Sequence, residues 1–240
     1  MELVSVIVTI GSIVVGVVGI LLGRRAVANW WKSLRPKESV AVFGAENAGK
    51  STLLEYLQGR PGQRDRARTI ETKKIGKIIF DLSSNETYFF RSREMYDVPG
   101  HQVPQWRAVT RLQNPHGIIY VADTFHEQDE AAKFMAIYEI YHELCGEKLS
   151  NQVNLRVILV LLNKVNRWGR TEEARTEKIS RYRDVLLRDT IKAFRDLLPE
   201  PVIQFGCSSF VDSDFYPETN RILRDFARAL EAKSRGKSRS

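Results

Sequence analysis

The stretch Gly44-Ala45-Glu46-Asn47-Ala48-Gly49-Lys50-Ser51 constrains this chain more than any other. It has the form G-x-x-x-x-G-K-S, with a short apolar run before it at 39–43 and a helical pattern after it at 50–57 that stops at Gly59 and Pro61. Glycines let the backbone wind tightly enough for several N–H groups to converge on one anion. The spacing places Lys50 to reach β- and γ-phosphates and the Ser51 hydroxyl to ligate Mg²⁺. The helix that opens here turns its positive end toward the same anion. Gly44, Asn47, Ala48, Gly49, Lys50, Ser51 and Thr52 are therefore expected to cradle the phosphates of a nucleotide.

Apolar, β-rich runs alternate with helical patterns along the rest of the chain. Strands are expected at 39–43, 75–82, 87–96, 117–122, 155–162 and 201–205, and helices at 50–57, 127–147, 171–198 and 217–233. The turn residues Ser83-Ser84-Asn85 make the second and third strands a hairpin. The runs at 117–122 and 155–162 are nearly all apolar, as in strands covered on both faces. The expected fold class is an α/β P-loop NTPase: one six-stranded, mostly parallel sheet with an antiparallel edge hairpin, helices on both faces, and one transmembrane helix in front.

That transmembrane helix is expected from the uncharged run LVSVIVTIGSIVVGVVGILL at 3–22. A helix of this length spans roughly 30 Å, the hydrocarbon thickness of a bilayer. Arg24, Arg25, Lys32, Arg35 and Lys37 follow it, and only Glu2 precedes it. The positive-inside rule then gives a single-pass anchor with the soluble part facing the cytoplasm. A cleaved signal peptide would carry its basic residues before the apolar run. The organisation is an anchor at 1–23, a basic linker at 24–38, a P-loop domain at 39–232 and a basic disordered tail at 233–240.

Composition narrows the function further. Two cysteines, Cys145 and Cys207, cannot build a disulfide framework. A net charge of +8 favours an anionic partner without choosing one. No helix-turn-helix, zinc-ligand spacing or RNA-stacking pattern occurs, so nucleic acid is not an expected partner. No Ser/His/Asp or Cys/His nucleophile system stands out either. Two further segments fit nucleotide switching. Thr69, with Thr72 as fallback, lies on a loop where a hydroxyl completes a Mg²⁺ shell and senses the γ-phosphate. Asp97-Val98-Pro99-Gly100-His101 ends the third strand: Asp97 can hold Mg²⁺ through water, the Gly100 N–H can meet the γ-phosphate, and His101 stands beside an attacking water.

This ordered set resembles the G-motifs of small Ras-like GTPases. Tyr96-Asp97-Val98-Pro99-Gly100-His101, Trp106-Arg107, Gln113-Asn114 and Gly117-Ile118-Ile119-Tyr120-Val121-Ala122-Asp123 look most like the ADP-ribosylation-factor branch. Within it, the anchor adds a likeness to the family of signal recognition particle receptor β subunits. The resemblance implies GTP or GDP with Mg²⁺ as ligands. It makes Ser51, Thr69 and Asp97 metal ligands, and Lys50, Thr69 and His101 catalytic residues, with His101 replacing the water-orienting glutamine. Asn47 is similar to an asparagine that ligates potassium in some cation-dependent GTPases.

The base-reading motif departs from the family pattern. The family's N-K-x-D stands here as Asn163-Lys164-Val165-Asn166. The family's aspartate accepts from guanine N1–H and N2–H₂, whereas an amide offers one acceptor and turns its NH₂ toward the other donor. Asn163 and Lys164 keep their implied roles of tying loops together and packing along the base. Gly206-Cys207-Ser208-Ser209 resembles the last G-motif, which places Ser208 and Ser209 at guanine O6. The expected function is a membrane-anchored GTP-binding protein that hydrolyses GTP slowly as a switch for a protein partner. The alternatives are a non-hydrolysing GTP-binding receptor or scaffold subunit, and a P-loop ATPase.

Overall fold

The computed structural model describes residues 38–59, 73–81, 89–149 and 153–237. The expected anchor at 1–23, Thr69 and Thr72 lie outside the described residues. Among the described residues no helix is long and apolar enough to cross a membrane.

Among the described residues six strands form, at the apolar, β-rich runs. They are β1 (Val40–Gly44), β2 (Lys73–Asp81), β3 (Phe89–Asp97), β4 (Gly117–Ala122), β5 (Val157–Leu162) and β6 (Val202–Cys207). The helices are α1 (Lys50–Leu57), α2 (Val103–Gln113), α3 (Glu127–Leu144), α4 (Val165–Trp168), α5 (Glu172–Arg181), α6 (Arg188–Leu197) and α7 (Tyr216–Lys237). Strands β1, β4, β5 and β6 pair in parallel in the order β1-β4-β5-β6, with Val42 opposite Ile119 and Ile119 opposite Leu159. Helical crossovers between parallel neighbours require this layered arrangement.

One expectation about the sheet is corrected. β2 and β3 form a separate antiparallel hairpin, from Lys73 opposite Asp97 to Asp81 opposite Phe89, and not the edge of one six-stranded ladder. β3 runs close to β1, but no ladder joins them among the described residues. The hairpin register shifts between Lys74 and Gly76 and again between Lys77 and Ile79. Such irregularities sharpen a strand's local twist and interrupt pairing.

Strand periodicity divides the interior into two cores. Ala41, Phe43, Ile118, Tyr120, Ala122, Ile158, Val160 and Leu162 face one side with Trp106, Phe134, Ile137, Tyr141 and Phe194. Val40, Val42, Ile119, Val121, Leu159 and Leu161 face the other with Leu53, Leu54, Leu223, Phe226 and Leu230. Burying each large apolar side chain contributes about 1.5–3 kcal/mol, so the sheet is clamped from both faces. α2, α3 and α6 cover the first face, and α1 and α7 the second.

Three helix expectations change. α2 is a helix that apolar periodicity does not announce: only Trp106, Val109 and Thr110 of its residues are buried. The long pattern at 171–198 divides into α5 and α6 around a π-helical turn, Tyr182–Leu186. Here Tyr182 is fully buried while Val185 is exposed, so the chain changes phase to keep Ile191 and Phe194 inside. The last helix continues to Lys237, into the expected tail.

Candidate functional site

The motif residues gather at the carboxyl ends of the strands, where open α/β sheets present their ligand sites. Gly44 closes β1, Asp97 closes β3, Asn163 follows β5, and Ser208 and Ser209 follow β6. Between β1 and α1 the loop turns through Asn47, an exposed residue with φ 59°, and Gly49, with φ 101°. Gly49 caps α1, with Lys50, Ser51 and Thr52 in the first turn. No acidic side chain belongs to that turn, whose N–H groups stand at the positive end of the helix.

Lys50 is almost wholly buried and donates from Nζ to the Ala45 carbonyl at 2.6 Å. Burial pushes its ammonium down to about 8, against the opposing pull of the Asp97 carboxylate. An ammonium has three donors, so the Ala45 bond leaves capacity for phosphate oxygens. The Ser51 hydroxyl donates to Asp97 Oδ2 at 2.5 Å. The hydroxyl and carboxylate expected to hold Mg²⁺ are thus brought together from different elements. A hard cation that keeps several waters and takes one or two carboxylates with phosphates fits this donor set.

The 97–101 loop is fixed against the P-loop from two sides. The buried Trp106 indole donates from Nε1 to the Pro99 carbonyl at 2.9 Å, and its ring lies 5.4 Å from that of Phe43. Gly100 backs directly onto the P-loop: a Cβ there would stand 2.4 Å from Ala45 C and Glu46 N. His101 is exposed, with Nε2 3.1 Å from Gln102 Nε2.

The base-side loops are joined to the same cradle. Asn163 donates from Nδ2 to the Ala48 carbonyl at 2.7 Å. That path requires a glycine at 49, where a Cβ would come within 2.3 Å of Asn163 Nδ2. Thr124 Oγ1 and Trp168 Nε1 both donate to the Asn163 carbonyl, at 3.2 and 3.0 Å. Lys164 has left-handed backbone, φ 63°, and its Nζ donates to Asp123 Oδ2 at 3.0 Å. Burial alone would raise the Asp123 carboxyl, but hydrogen bonds led by the one from Lys164 hold it below the usual range. Asn166 is half-buried in the first turn of α4. Ser208 and Ser209 are buried, and neither Oγ has a hydrogen-bond partner among the described residues. The adjoining backbone is anchored, with Val165 N–H donating to the Ser208 carbonyl at 3.2 Å.

The family of 50S ribosome-binding GTPases matches residues 39–164, which run from β1 through the Asn163-Lys164 pair. The chain belongs to this GTPase family. Among curated proteins none matches. Among solved structures, the Arl6 BBS3 small GTPase of Trypanosoma brucei with a bound GppNp analogue is 13% identical, with a TM-score of 0.48 over 81% of this chain and 99% of its own. An ADP-ribosylation-factor-like, small COPII coat SAR1 GTPase of Encephalitozoon cuniculi with GDP is 19% identical, with a TM-score of 0.46 over 93% of this chain and 95% of its own.

In this GTPase the sequence motifs and the geometry diverge in one respect. Asp123, Trp106 and Thr124 organise the site, yet sequence reasoning gave none of them a role. Asp123 had a usable signal, because it directly follows the buried strand β4 and so falls on the ligand-bearing edge. Trp106 entered only through the family resemblance of Trp106-Arg107, and Thr124 acts through a main-chain carbonyl, which leaves no residue signature.

Proposed function

We propose that this GTPase is a membrane-anchored molecular switch of the ADP-ribosylation-factor branch that binds GTP and hydrolyses it slowly to control a protein partner. The observation that carries this reading is the closure of the Asp97–His101 segment onto the P-loop, through the Ser51–Asp97 bond and the Gly100 backbone. A segment seated against the phosphate cradle can change position with the phosphate present there, which is what a switch requires.

The chemistry follows from positioning and charge, with no covalent intermediate. Lys50 neutralises charge on the β- and γ-phosphates. The Gly100 N–H meets the γ-phosphate, and His101 orients the attacking water. Ser51 and Asp97, with Thr69, would hold Mg²⁺, which supplies further neutralisation of the phosphate oxygens when bound. On the base side Lys164 packs along the purine ring, Asn166 faces its hydrogen-bonding edge, and the Ser208-Ser209 segment meets O6. GTP binding by calorimetry and single-turnover hydrolysis by the full chain in detergent test the reading. Binding without turnover would instead favour the receptor or scaffold subunit.

Asn166 makes the guanine assignment separately testable. An Asn166→Asp substitution places a charged acceptor against two guanine donors where the amide satisfies one. A gain of about 1–2 kcal/mol, roughly five- to thirtyfold in GTP affinity, is expected, with ATP affinity unchanged. GTP and ATP constants both unchanged by the substitution would mean that residue 166 does not face the base.

The membrane part of the proposal rests on the uncharged run at 3–22 and its basic flank. Deleting residues 1–23 is expected to release the protein from membranes while GTP affinity stays within about threefold, less than one typical hydrogen bond. Retention of the shortened chain in the membrane fraction would show that another segment anchors it.

A further inference from the structure

Glu130 is a charged residue in the first turn of α3 with no exposed surface. Its Oε1 accepts the Asp123 N–H at 2.8 Å, and its Oε2 accepts the Tyr120 hydroxyl, itself fully buried in β4. Neither motif spacing nor the phosphate chemistry above uses this carboxyl. It stands instead at the root of the turn that carries Asp123. That turn is drawn tight by its own side chain: Asp123 Oδ1 accepts the Phe125 N–H at 3.2 Å, and Oδ2 accepts Lys164 Nζ at 3.0 Å. Lys164 Nζ also stands 5.7 Å from the Phe125 ring centre.

We propose that Glu130 is a positioning residue for the nucleotide base: its buried carboxylate fixes the Asp123 turn and, through Asp123, the Lys164 side chain that packs along the purine. The inference rests on the guanine-nucleotide reading above and adds to it a residue on α3 that touches no ligand atom. It depends on the charge state. As a carboxylate, Glu130 offers acceptors to both Tyr120 OH and Asp123 N–H. When protonated, Glu130 must turn its Tyr120 hydrogen bond around, with the Tyr120 hydroxyl left to the Glu130 main-chain carbonyl at 3.3 Å, and its bond from the Asp123 N–H loses the charge that strengthens it, which loosens the turn.

Burial raises Glu130 to about 7, and the Asp123 charge adds to this. The Tyr120 and Asp123 hydrogen bonds and Lys133 oppose it. Tyr182 faces the pair from the π-helical turn, and Lys50 feels the Glu130 charge from α1. Glu127, at the start of the same helix, is paired with Lys178 and Arg181. His126 lies against the same turn, with its Nδ1 3.2 Å from Asp123 Oδ2. Lys50 has the opposite sign, because losing its proton near 8 weakens phosphate binding as pH rises.

The test is the release rate of a fluorescent GDP from the full chain in detergent, between pH 5.5 and 8.5. Wild type should release it about three- to tenfold faster at pH 6 than at pH 8, the worth of roughly one hydrogen bond. Glu130→Gln should abolish this acceleration at low pH, leaving only the opposite trend of Lys50, and release at pH 8 at least as fast as wild type at pH 6. Its melting temperature at pH 8 should nevertheless rise, because a buried charge has been removed. A merely structural role would lower melting temperature and retention together. Tyr120→Phe, which removes a hydrogen bond to the charged form, should move the transition to higher pH. His126→Gln should leave it in place. Persistence of the transition in Glu130→Gln, or its loss in His126→Gln, overturns the proposal. Tight GDP binding with no pH dependence in wild type overturns this inference alone. No GDP binding at any pH overturns the nucleotide reading and this inference together.

Discussion

Lys50→Ala is expected to abolish tight triphosphate binding while leaving the fold intact. In the proposed complex Lys50 meets two phosphate groups, and charge-assisted hydrogen bonds contribute about 1.5–3 kcal/mol each. Their loss amounts to roughly 3–6 kcal/mol, about two to four orders of magnitude in the dissociation constant. The fold should not suffer, because Lys50 is a buried cation whose pKa is pushed down to about 8 by desolvation. A lysine whose folded-state pKa lies below its unfolded value stabilises the fold only at high pH, and that contribution is lost as pH falls through about 8. At pH 7 the alanine variant should therefore melt no lower than wild type. The same shift gives an independent check: triphosphate binding by wild type at pH 8 should take up about half a proton as phosphate restores the full charge of Lys50. Calorimetry in buffers of differing ionisation enthalpy measures that uptake, which should vanish in the variant. Unchanged affinity would remove the P-loop assignment.

The legible parts of the fold are those set by local pattern. β4 and β5 are wholly buried on both faces and read as unbroken apolar runs. α1 announces itself through Gly49 and the Leu53, Leu54 and Leu57 spacing. Strand pairing is a different matter. Alternation marks β2 and β3 as strands but says nothing about whether β3 shares a ladder with β1, because pairing is decided between strands and not along one. α2 was hidden for a compositional reason. Its sequence VPQWRAVTRLQ exposes Leu112, which breaks the apolar stripe that would have marked the buried face.

The site divides along the same line. The phosphate side was readable because its chemistry needs particular residues close together in sequence, as in Gly49-Lys50-Ser51. The Ser51–Asp97 bond joins two motifs that had each been recognised, so the structure adds their distance but no new residue. The base side was less legible. Lys164 was expected along the base, but its partner Asp123 lies far away in sequence, and Glu130 acts one bond further back. A buried carboxylate on an amphipathic helix reads from sequence as part of its solvated face, and only the packing of α3 onto β4 reveals the contrast.

Gly100→Ala is expected to uncouple the two loops that the proposed switch depends on. The alanine Cβ would lie 2.4 Å from Ala45 C and Glu46 N and 2.7 Å from Ala45 O. These are main-chain atoms, and Ala45 O is also the acceptor for Lys50, so the P-loop cannot recede without disturbing its own lysine. The 97–101 segment is the part that must yield. Trp106 resists that movement through its bond to Pro99, as does the Ser51–Asp97 contact, so the variant should melt lower than wild type. Displacing the segment removes the Gly100 N–H and His101 from the γ-phosphate. Loss of one such preorganised donor typically slows a reaction by about a hundredfold or more, which sets the expected fall in single-turnover GTP hydrolysis. GDP affinity should change by less than about threefold, since Lys50 and the first turn of α1 are untouched. A parallel loss of GDP and GTP binding would indicate collapse of the cradle. Wild-type hydrolysis in Gly100→Ala would show that the closed arrangement of this segment is not the one from which the reaction proceeds.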